Sequence, residues 1–111
     1  MKDLANCTIE SARAALAAGE TTAANLTAAF LTRIEKLDRK GPALNSVRQT
    51  NPEAPAIAAK LDASARKTPR PLEGIPVLLK DNIATGDKQC TTAGSLALED
   101  AEDLEGFDRL A

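Results

Sequence analysis

The sequence predicts a small protein of the α/β class. Its first two thirds contain three stretches in which apolar side chains recur every three or four residues, which is the spacing of amphipathic helices. A short, wholly apolar run then covers residues 75–79, and such a run is typical of a strand buried on both faces. The chain has 111 residues, which limits this helix–helix–helix–strand order to one small domain.

The first predicted helix covers about residues 8–18. Thr8 is a suitable N-cap because its hydroxyl can accept a hydrogen bond from a backbone amide of the first turn. Gly19 favours an end at this point because glycine readily adopts the left-handed conformation that terminates helices. The predicted apolar face consists of Ile9, Ala12 and Leu16.

The second predicted helix, about residues 22–40, has the clearest amphipathic pattern. Thr21 or Thr22 can cap its first turn, and Gly41 followed by Pro42 ends it. The basic residues of its last turn suit the negative end of the helix dipole. The predicted apolar face consists of Leu26, Phe30, Ile34 and Leu37.

A third helix is predicted over about residues 53–67. It begins near Pro52 or Pro55, because proline is tolerated in a first turn, and Pro69 ends it. Its apolar stripe consists of Ile57, Ala58, Leu61 and Ala65. We therefore assign residues 1–70 to an N-terminal helical segment.

The predicted strand at residues 75–79 contains Pro76, which is acceptable near the start of a strand. Residues 91–95 are predicted to form a loop, and residues 96–98 the start of another helix. A buried strand needs hydrogen-bonded neighbours on both edges, and no further strand is evident after residue 80. We therefore expect the chain to be part of a larger fold.

The composition excludes several kinds of functional site. The chain has no histidine, which excludes a Ser-His-Asp triad, a Cys-His dyad and a His-ligated metal site from this chain alone. With two Phe, no Tyr or Trp, and a net charge of -2, we expect no nucleic-acid partner. No apolar run approaches the roughly 20 residues that cross a bilayer, and no signal-peptide pattern is visible. These features favour a cytoplasmic protein in which Cys7 and Cys90 are reduced.

Two further features concern stability and domain boundaries. Alanine fills 22 positions, so any core is built from small groups, and we expect the isolated chain to be marginally stable. Residues 99–111 carry six acidic side chains against one Arg, whereas residues 1–98 have a net charge of +3. Such a block is usually solvated, so we place a boundary near residue 98.

Lys80 is the candidate for chemistry, since it directly follows the apolar run. A desolvated lysine tends towards its neutral form and can act as a base, and α/β proteins place functional groups at the ends of buried strands. The alternative is a lysine that extends into water beside Asp81, and the pattern alone favours it. Asp81 also argues against a base, because a nearby carboxylate stabilises the charged lysine.

Residues 71–98 closely resemble the amidase signature family, amide-bond hydrolases that use a Ser–cis-Ser–Lys triad. The segment has Gly-Ile-Pro-Val-x-x-Lys-Asp-Asn at residues 74–82, followed by Thr-Thr-Ala-Gly-Ser at residues 91–95. Upstream segments resemble the family as well, so that the match spans roughly residues 8–98. The resemblance implies α/β/α layers with a large mixed sheet in the full protein. This chain would supply the N-terminal helices and the first core strand, with the core starting at residues 71–98.

The resemblance implies that Lys80 is the catalytic residue of this segment. In the family the neutral lysine takes a proton from the bridging cis-serine, which in turn deprotonates the nucleophilic serine. The residues after Lys80 would hold its turn, and residues 91–95 would line the site. The resemblance implies a small-molecule amide substrate and neither a metal nor an organic cofactor. The implied supporting residues are Asp81, Asn82, Thr91, Thr92, Gly94 and Ser95.

The sequence departs from the family in two respects. None of its serines lies in the Gly-Ser-Ser-Gly context of the nucleophile, and a Ser95–Lys80 dyad is a much weaker alternative. The acidic block at residues 99–111 also differs from the family's continuation. We therefore expect an N-terminal fragment of an amidase, inactive alone, which lacks a C-terminal portion or forms a homodimer. Two alternatives stay open: the subunit of a tRNA-dependent amidotransferase that shares this fold, and a non-catalytic helical binding module.

Overall fold

The computed structural model describes residues 5–64 and 67–99, and this part of the chain is helical. The chain divides into two compact units. Of the described residues, 5–46, 54–64 and 67–77 form the first unit, and 47–53 and 78–99 form the second. All three α-helices belong to the first unit, whereas Lys80 and residues 91–95 belong to the second.

The first helix, α1, spans Ile9–Ala17. Thr8 is its N-cap: the Thr8 hydroxyl accepts from the Ser11 amide at 3.1 Å, and the Ser11 hydroxyl accepts from the Thr8 amide at 2.9 Å. At the other end, Gly19 has a φ of +70° and donates to the Leu16 carbonyl, while Glu20 donates to that of Ala15. These two bonds form a Schellman motif, which satisfies carbonyls at the end of the helix.

The second helix, α2, spans Ala23–Ile34 and is continued by a π-helical turn, Glu35–Arg39. Thr22 caps α2 by accepting from the Asn25 amide at 3.1 Å. The π-turn is closed by the Lys40 amide, which donates to the Glu35 carbonyl five residues earlier. The sequence predicts one amphipathic helix over this range, and the structure corrects the geometry of its last turn.

The π-turn changes which side chain faces inward. A π-turn holds more residues than an α-turn, so it shifts the helical register of the side chains that follow. Leu37, expected on the apolar face, is exposed, whereas the neighbouring Asp38 is buried. One Asp38 carboxylate oxygen accepts from both the amide and the hydroxyl of Ser46 at 2.6 Å. The buried carboxylate therefore has partners and ties the following loop to the π-turn.

The third helix, α3, spans Ala54–Ala63 and packs against α2. The side chain of Asp62 caps α2 from a distance in sequence. Its two carboxylate oxygens accept from the amides of Ala23 and Ala24, at 2.8 and 2.9 Å. These amides lie at the positive end of the α2 dipole and have no partner within the helix, so the carboxylate satisfies both.

The core of the first unit is small, in agreement with the alanine-rich composition. Leu26 is its largest fully buried side chain, and the other buried apolar residues are all alanine. Gly74 fits against this core with a φ of +80°, and a Cβ at this position would lie 3.3 Å from the Ala23 Cβ. The glycine that opens the Lys80 motif therefore allows both a left-handed backbone and a close approach to α2.

Replacing Asp62 with Ala is expected to lower the free energy of unfolding of the first unit by about 1–2 kcal/mol, because it leaves two amides of α2 without their partner. Urea unfolding followed by helical circular dichroism measures the loss. Lys60→Ala, on the same helix, serves as the control and should change stability by less than about 0.5 kcal/mol. Equal stability losses in the two variants would show that the cap contributes nothing.

The strand predicted at residues 75–79 is wrong for the part of the chain that the structure describes. These residues form no regular secondary structure, and Val77, Leu78 and Leu79 are 61%, 72% and 54% exposed instead of buried. Pro76 has no amide hydrogen to donate, and within residues 5–64 and 67–99 no segment pairs with this run as a strand. The run is apolar, as a buried strand requires, but a strand also needs a neighbouring strand that supplies its backbone hydrogen bonds.

The remaining expectations fall partly outside the described residues. Leu96–Leu98, predicted to start a helix, form a short 3₁₀ turn. Of the acidic block, only Glu99 is described, and residues 100–111 lie outside the described part of the chain. Cys7 and Cys90 are not joined in a disulfide. Within the described ranges, no helix has the length and apolar character that a membrane span requires.

Candidate active site

The Lys80 motif folds into a tight turn. The amide of Ile83 donates to the Lys80 carbonyl at 3.0 Å, which closes a four-residue turn with Asp81 and Asn82 in its centre. The Lys80 side chain is exposed, and within the described part of the chain its ammonium has no ion-pair partner. The turn therefore presents an amine whose charge is not balanced by a neighbouring carboxylate.

A second turn is formed by Thr92–Ser95 of the Thr-Thr-Ala-Gly-Ser segment. The Ser95 amide donates to the Thr92 carbonyl at 2.9 Å, and the two central residues, Ala93 and Gly94, have φ values of +48° and +79°. Positive φ at both central positions is the geometry of a type I′ turn. Glycine adopts it freely, whereas Ala93 is held there at a cost of about 1–2 kcal/mol.

Asp81 joins the two turns through Thr92. One Asp81 carboxylate oxygen accepts from the Thr92 amide at 3.0 Å, and the other accepts from the Thr92 hydroxyl. The Asp81 carbonyl accepts from the Ala93 amide at 2.7 Å. Thr92 is 2% exposed, and its hydroxyl oxygen also accepts from the Gly94 amide. The three bonds to Asp81 hold the backbone next to Lys80 against the second turn, and the fourth lies within that turn.

Arg48, in the segment of residues 47–53, lies near the same Asp81 carboxylate. Its Nε lies 3.9 Å from an Asp81 carboxylate oxygen, and a terminal guanidinium nitrogen lies 3.9 Å from a Glu99 oxygen. Both distances are at the limit of an ion pair, so the contribution of each is small, although their sign is favourable. Asp81 thus faces one hydroxyl, one amide and one cation.

Polar contacts between residues 47–53 and 84–90 support the site. The side-chain amide of Gln49 donates to the Cys90 carbonyl, and its oxygen accepts from the Cys90 amide at 3.3 Å. Asn51 donates to Asp87 at 3.1 Å, and Lys88 forms an ion pair with Glu53 at 3.2 Å. The Gln49 side chain thus satisfies both backbone groups of Cys90, as a neighbouring strand would do in a sheet.

The pKa of the Asp81 carboxyl is lowered from its ordinary value of 3.8. The largest cause is the hydrogen bond from the Thr92 hydroxyl, followed by the bond from the Thr92 amide; Arg48 adds a smaller effect in the same direction. Partial desolvation acts in the opposite direction and is outweighed. Asp81 is therefore a carboxylate at neutral pH.

Protonation of Asp81 is expected to loosen the second unit in acid. Because the folded-state pKa is depressed, the unfolded state binds the proton more readily. The stabilisation is present above the ordinary value of 3.8 and is lost as the pH falls through the lowered pKa. Amide hydrogen-exchange protection of Ala93, measured from about pH 5 to about pH 2, should fall in this range. Asp81→Asn removes the titrating group, and the same fall in that variant would contradict the assignment.

The structure brings together some of the residues singled out from the sequence and leaves others apart. Asp81, Thr92 and Gly94 share one hydrogen-bond network, and the Thr91 hydroxyl donates to the Ile83 carbonyl at 3.3 Å. Asn82 and Ser95 are exposed. In the described part of the chain, the Ser95 hydroxyl makes no hydrogen bond to Lys80, so nothing supports a dyad.

Sequence reasoning missed Arg48 and the role of the Thr92 side chain. Arg48 lies far from Asp81 along the chain, and no local pattern distinguishes it from other surface arginines. Thr92 was expected to line the site, but its role as the partner of Asp81 is evident only from its burial and its two hydrogen bonds to that carboxylate. Among the described residues, no group of three or more acidic or cysteine side chains could hold a metal ion.

The sequence model of the family described as Amidase matches residues 25–105, which is most of the chain. The chain belongs to the amidase family. It is 41% identical over 101 residues to a glutamyl-tRNA(Gln) amidotransferase subunit of Chloroflexus aurantiacus, covering 88% of this chain and 20% of that protein. The region that matches the family contains Lys80 and both turns.

Solved amidase structures resemble the chain in fold as well as in sequence. A peptide amidase from Stenotrophomonas maltophilia is 44% identical with a TM-score of 0.80, over 86% of this chain and 20% of that one. An amidase family protein from Bacillus anthracis is 36% identical with a TM-score of 0.83, over 92% of this chain and 21% of that one. The chain thus spans about a fifth of the length of these relatives.

Proposed function

We propose that this chain provides the lysine-bearing N-terminal part of an amide-bond hydrolase of the Ser–cis-Ser–Lys type. The observation that carries the proposal is the turn at Lys80, which presents an amine without an ion-pair partner among the described residues. In its neutral form, such an amine can accept a proton from a hydroxyl. The chain's membership of the amidase family and its 44% identity to a peptide amidase support amide-bond hydrolysis as the reaction class.

In this mechanism, Lys80 removes a proton from a bridging serine hydroxyl, and that serine deprotonates a second serine, the nucleophile. The nucleophile attacks the amide carbonyl, an amine or ammonia leaves, and water hydrolyses the acyl-enzyme. None of the serines of this chain has the glycine-rich context of the nucleophile. The two serines, the amides that stabilise the oxyanion and the mixed sheet would therefore come from the other four fifths of the amidase fold.

Because the lysine lies in this chain and the two serines would lie in the rest of the fold, we expect the chain alone to be inactive. A base without a nucleophile and an oxyanion hole lowers the reaction barrier very little. We therefore expect the purified 111-residue chain to release no ammonia from peptide amides or simple aliphatic amides. Turnover by the pure chain that disappears in Lys80→Met would show that a serine of this chain acts as the nucleophile.

A chimera tests the function directly. Residues 8–98 of this chain replace the matching segment of the Stenotrophomonas maltophilia peptide amidase, and hydrolysis of a peptide amide is measured by ammonia release. We expect the chimera to hydrolyse the substrate because its lysine turn and the acceptor's remaining part belong to one fold. A chimera that folds with the acceptor's thermal stability and yet shows no hydrolysis would overturn the proposed function.

A second candidate is the amidase-fold component of a tRNA-dependent amidotransferase, favoured by the 41% identity to the Chloroflexus aurantiacus protein. The same lysine chemistry would then release ammonia from an amide donor for transfer to another substrate. Co-purification of the tagged chain with a tRNA-binding protein from its own host would favour this candidate. A non-catalytic binding module is the third candidate, and a chimera without hydrolysis would favour it.

A further inference from the structure

Lys80 and Asp81 are adjacent in sequence and carry opposite charges, yet they do not form an ion pair in the described structure. Both Asp81 carboxylate oxygens are bound to Thr92, one by its amide and one by its hydroxyl. Arg48 lies 3.9 Å from the same carboxylate. The carboxylate is therefore drawn towards the second turn and is not available to the lysine beside it.

We propose that Thr92, assisted by Arg48, is a positioning residue that keeps the Asp81 carboxylate from pairing with Lys80. The inference rests on the proposed function for its significance, since a base must be able to lose its charge. A carboxylate paired with Lys80 would stabilise the ammonium form and reduce the neutral fraction that accepts a proton.

The geometry gives Thr92 this role in preference to a purely structural one. Its hydroxyl donates to Asp81 and accepts from the Gly94 amide, so its orientation is fixed at both ends. Burial at 2% exposure excludes most water from competing for the hydroxyl. The lowered pKa of Asp81, caused first by this hydroxyl, is consistent with a carboxylate held in its charged form by Thr92.

Two further charged side chains, Arg48 and Glu99, lie near the Asp81 carboxylate. The Arg48 guanidinium contacts both Asp81 and Glu99 at 3.9 Å, so it is shared between two carboxylates and neutralises neither fully. Arg48 is partly exposed and its attraction is screened by solvent. Loss of the buried Thr92 hydroxyl is therefore expected to be the change that releases the Asp81 side chain.

The test measures how readily the Lys80 amine reacts in the full chain, which requires no amidase turnover. Limiting sulfosuccinimidyl acetate at fixed pH labels neutral amines, and digestion followed by mass spectrometry compares Lys80 with Lys88 in the same molecule. Lys88 is a suitable internal reference because its ion-pair partner is Glu53, which makes no bond to Thr92 or Asp81. The measured quantity is the ratio of the two labelling rates.

Thr92→Val keeps the branched shape and the backbone amide and removes only the hydroxyl, so the Asp81 carboxylate oxygen that the hydroxyl bound should become available to pair with Lys80. The labelling ratio is expected to fall about two- to fivefold below that of the natural chain, the range of an exposed ion pair, and the two chains should give equal ratios when both are labelled in about 1 M salt. Thr92→Ser keeps the hydroxyl and should label as the natural chain does. An unchanged ratio in Thr92→Val, or a fall of equal size in Thr92→Ser, would overturn the proposal.

Asp81→Asn separates the charge effect from a loss of structure. In the Thr92→Val background it removes the freed carboxylate, and the ratio should return to that of the natural chain; a fall that persists would contradict the proposal. As a single variant it should leave the ratio unchanged and does not depend on how Thr92→Val folds. A rise in that single variant would show that Asp81 already acts on Lys80 and would also contradict the proposal.

These labelling results are independent of the chimera. If the chimera is inactive while the ratios behave as expected, the proposed function fails and the control of Lys80 by Thr92 stands. If the chimera is active while the ratios do not change, the function stands and the positioning role of Thr92 is wrong.

Discussion

In the proposed chimera, Lys80→Met is expected to lower kcat/KM for a peptide amide by about 10²–10⁴-fold, the usual contribution of a positioned acid–base group. Methionine has a similar length and no proton-accepting nitrogen, so the substitution removes the chemistry and little of the packing. Lys80 is exposed and has no ion pair among the described residues, so its loss breaks no stabilising contact. The effect should therefore appear in kcat, with little change in thermal stability.

Lys88→Met in the same chimera is the matched control. Lys88 is exposed and its ion pair with Glu53 spans 3.2 Å at the surface, where such pairs contribute little. The control should keep kcat/KM within about twofold of the parent chimera. Comparable losses of activity in the two variants would indicate that the loss of any positive charge from this surface lowers activity. Lys80 would then have no specific catalytic role.

Replacing Gly41 with Ala is expected to cause a larger loss of stability than the same replacement at Gly19 or Gly74 of the first unit. Gly41 has a φ of +56°, and a Cβ there would lie 2.7 Å from the Lys36 carbonyl oxygen. The left-handed conformation alone costs an alanine about 1–2 kcal/mol, and the collision with backbone adds to it. We expect the free energy of unfolding to fall by about 2–4 kcal/mol in total.

Gly19→Ala is the control for the conformational part of that cost. Gly19 has a φ of +70°, but its Cβ would meet no atom within 4 Å. Its loss should therefore be limited to about 1–2 kcal/mol. Urea unfolding monitored by helical circular dichroism measures both variants. If Gly41→Ala loses no more stability than Gly19→Ala, the π-turn can relax to accept the methyl group, and the close approach has no energetic consequence.

Local signals in the sequence explain much of the helical unit. Thr8 and Thr22 cap their helices, and Gly19 ends the first one, because each effect depends on residues only a few positions away. The apolar pattern also located α2 and α3. It did not predict the π-turn at Glu35–Arg39, where the buried Asp38 carboxylate accepts from Ser46 in the loop that follows.

The strand prediction failed for a related reason. An apolar run indicates that a segment is suited to burial, but a strand exists only where another segment supplies hydrogen bonds. Residues 75–79 find no such neighbour in the described part of the chain. The motif at residues 74–82 was nevertheless sufficient to indicate the family to which the chain belongs, since that information lies in residue identity and spacing.

Residue identity and spacing were thus enough to predict the family, the three helices and the lysine around which the proposed chemistry is built. The surroundings of that lysine, in contrast, depend on the tertiary structure. The Asp81 carboxylate accepts two hydrogen bonds from Thr92 and lies 3.9 Å from Arg48, and both of these residues are distant from it in sequence. Capping and periodicity act over a few residues, whereas the partner of a charged side chain is chosen by every group that folding brings within reach.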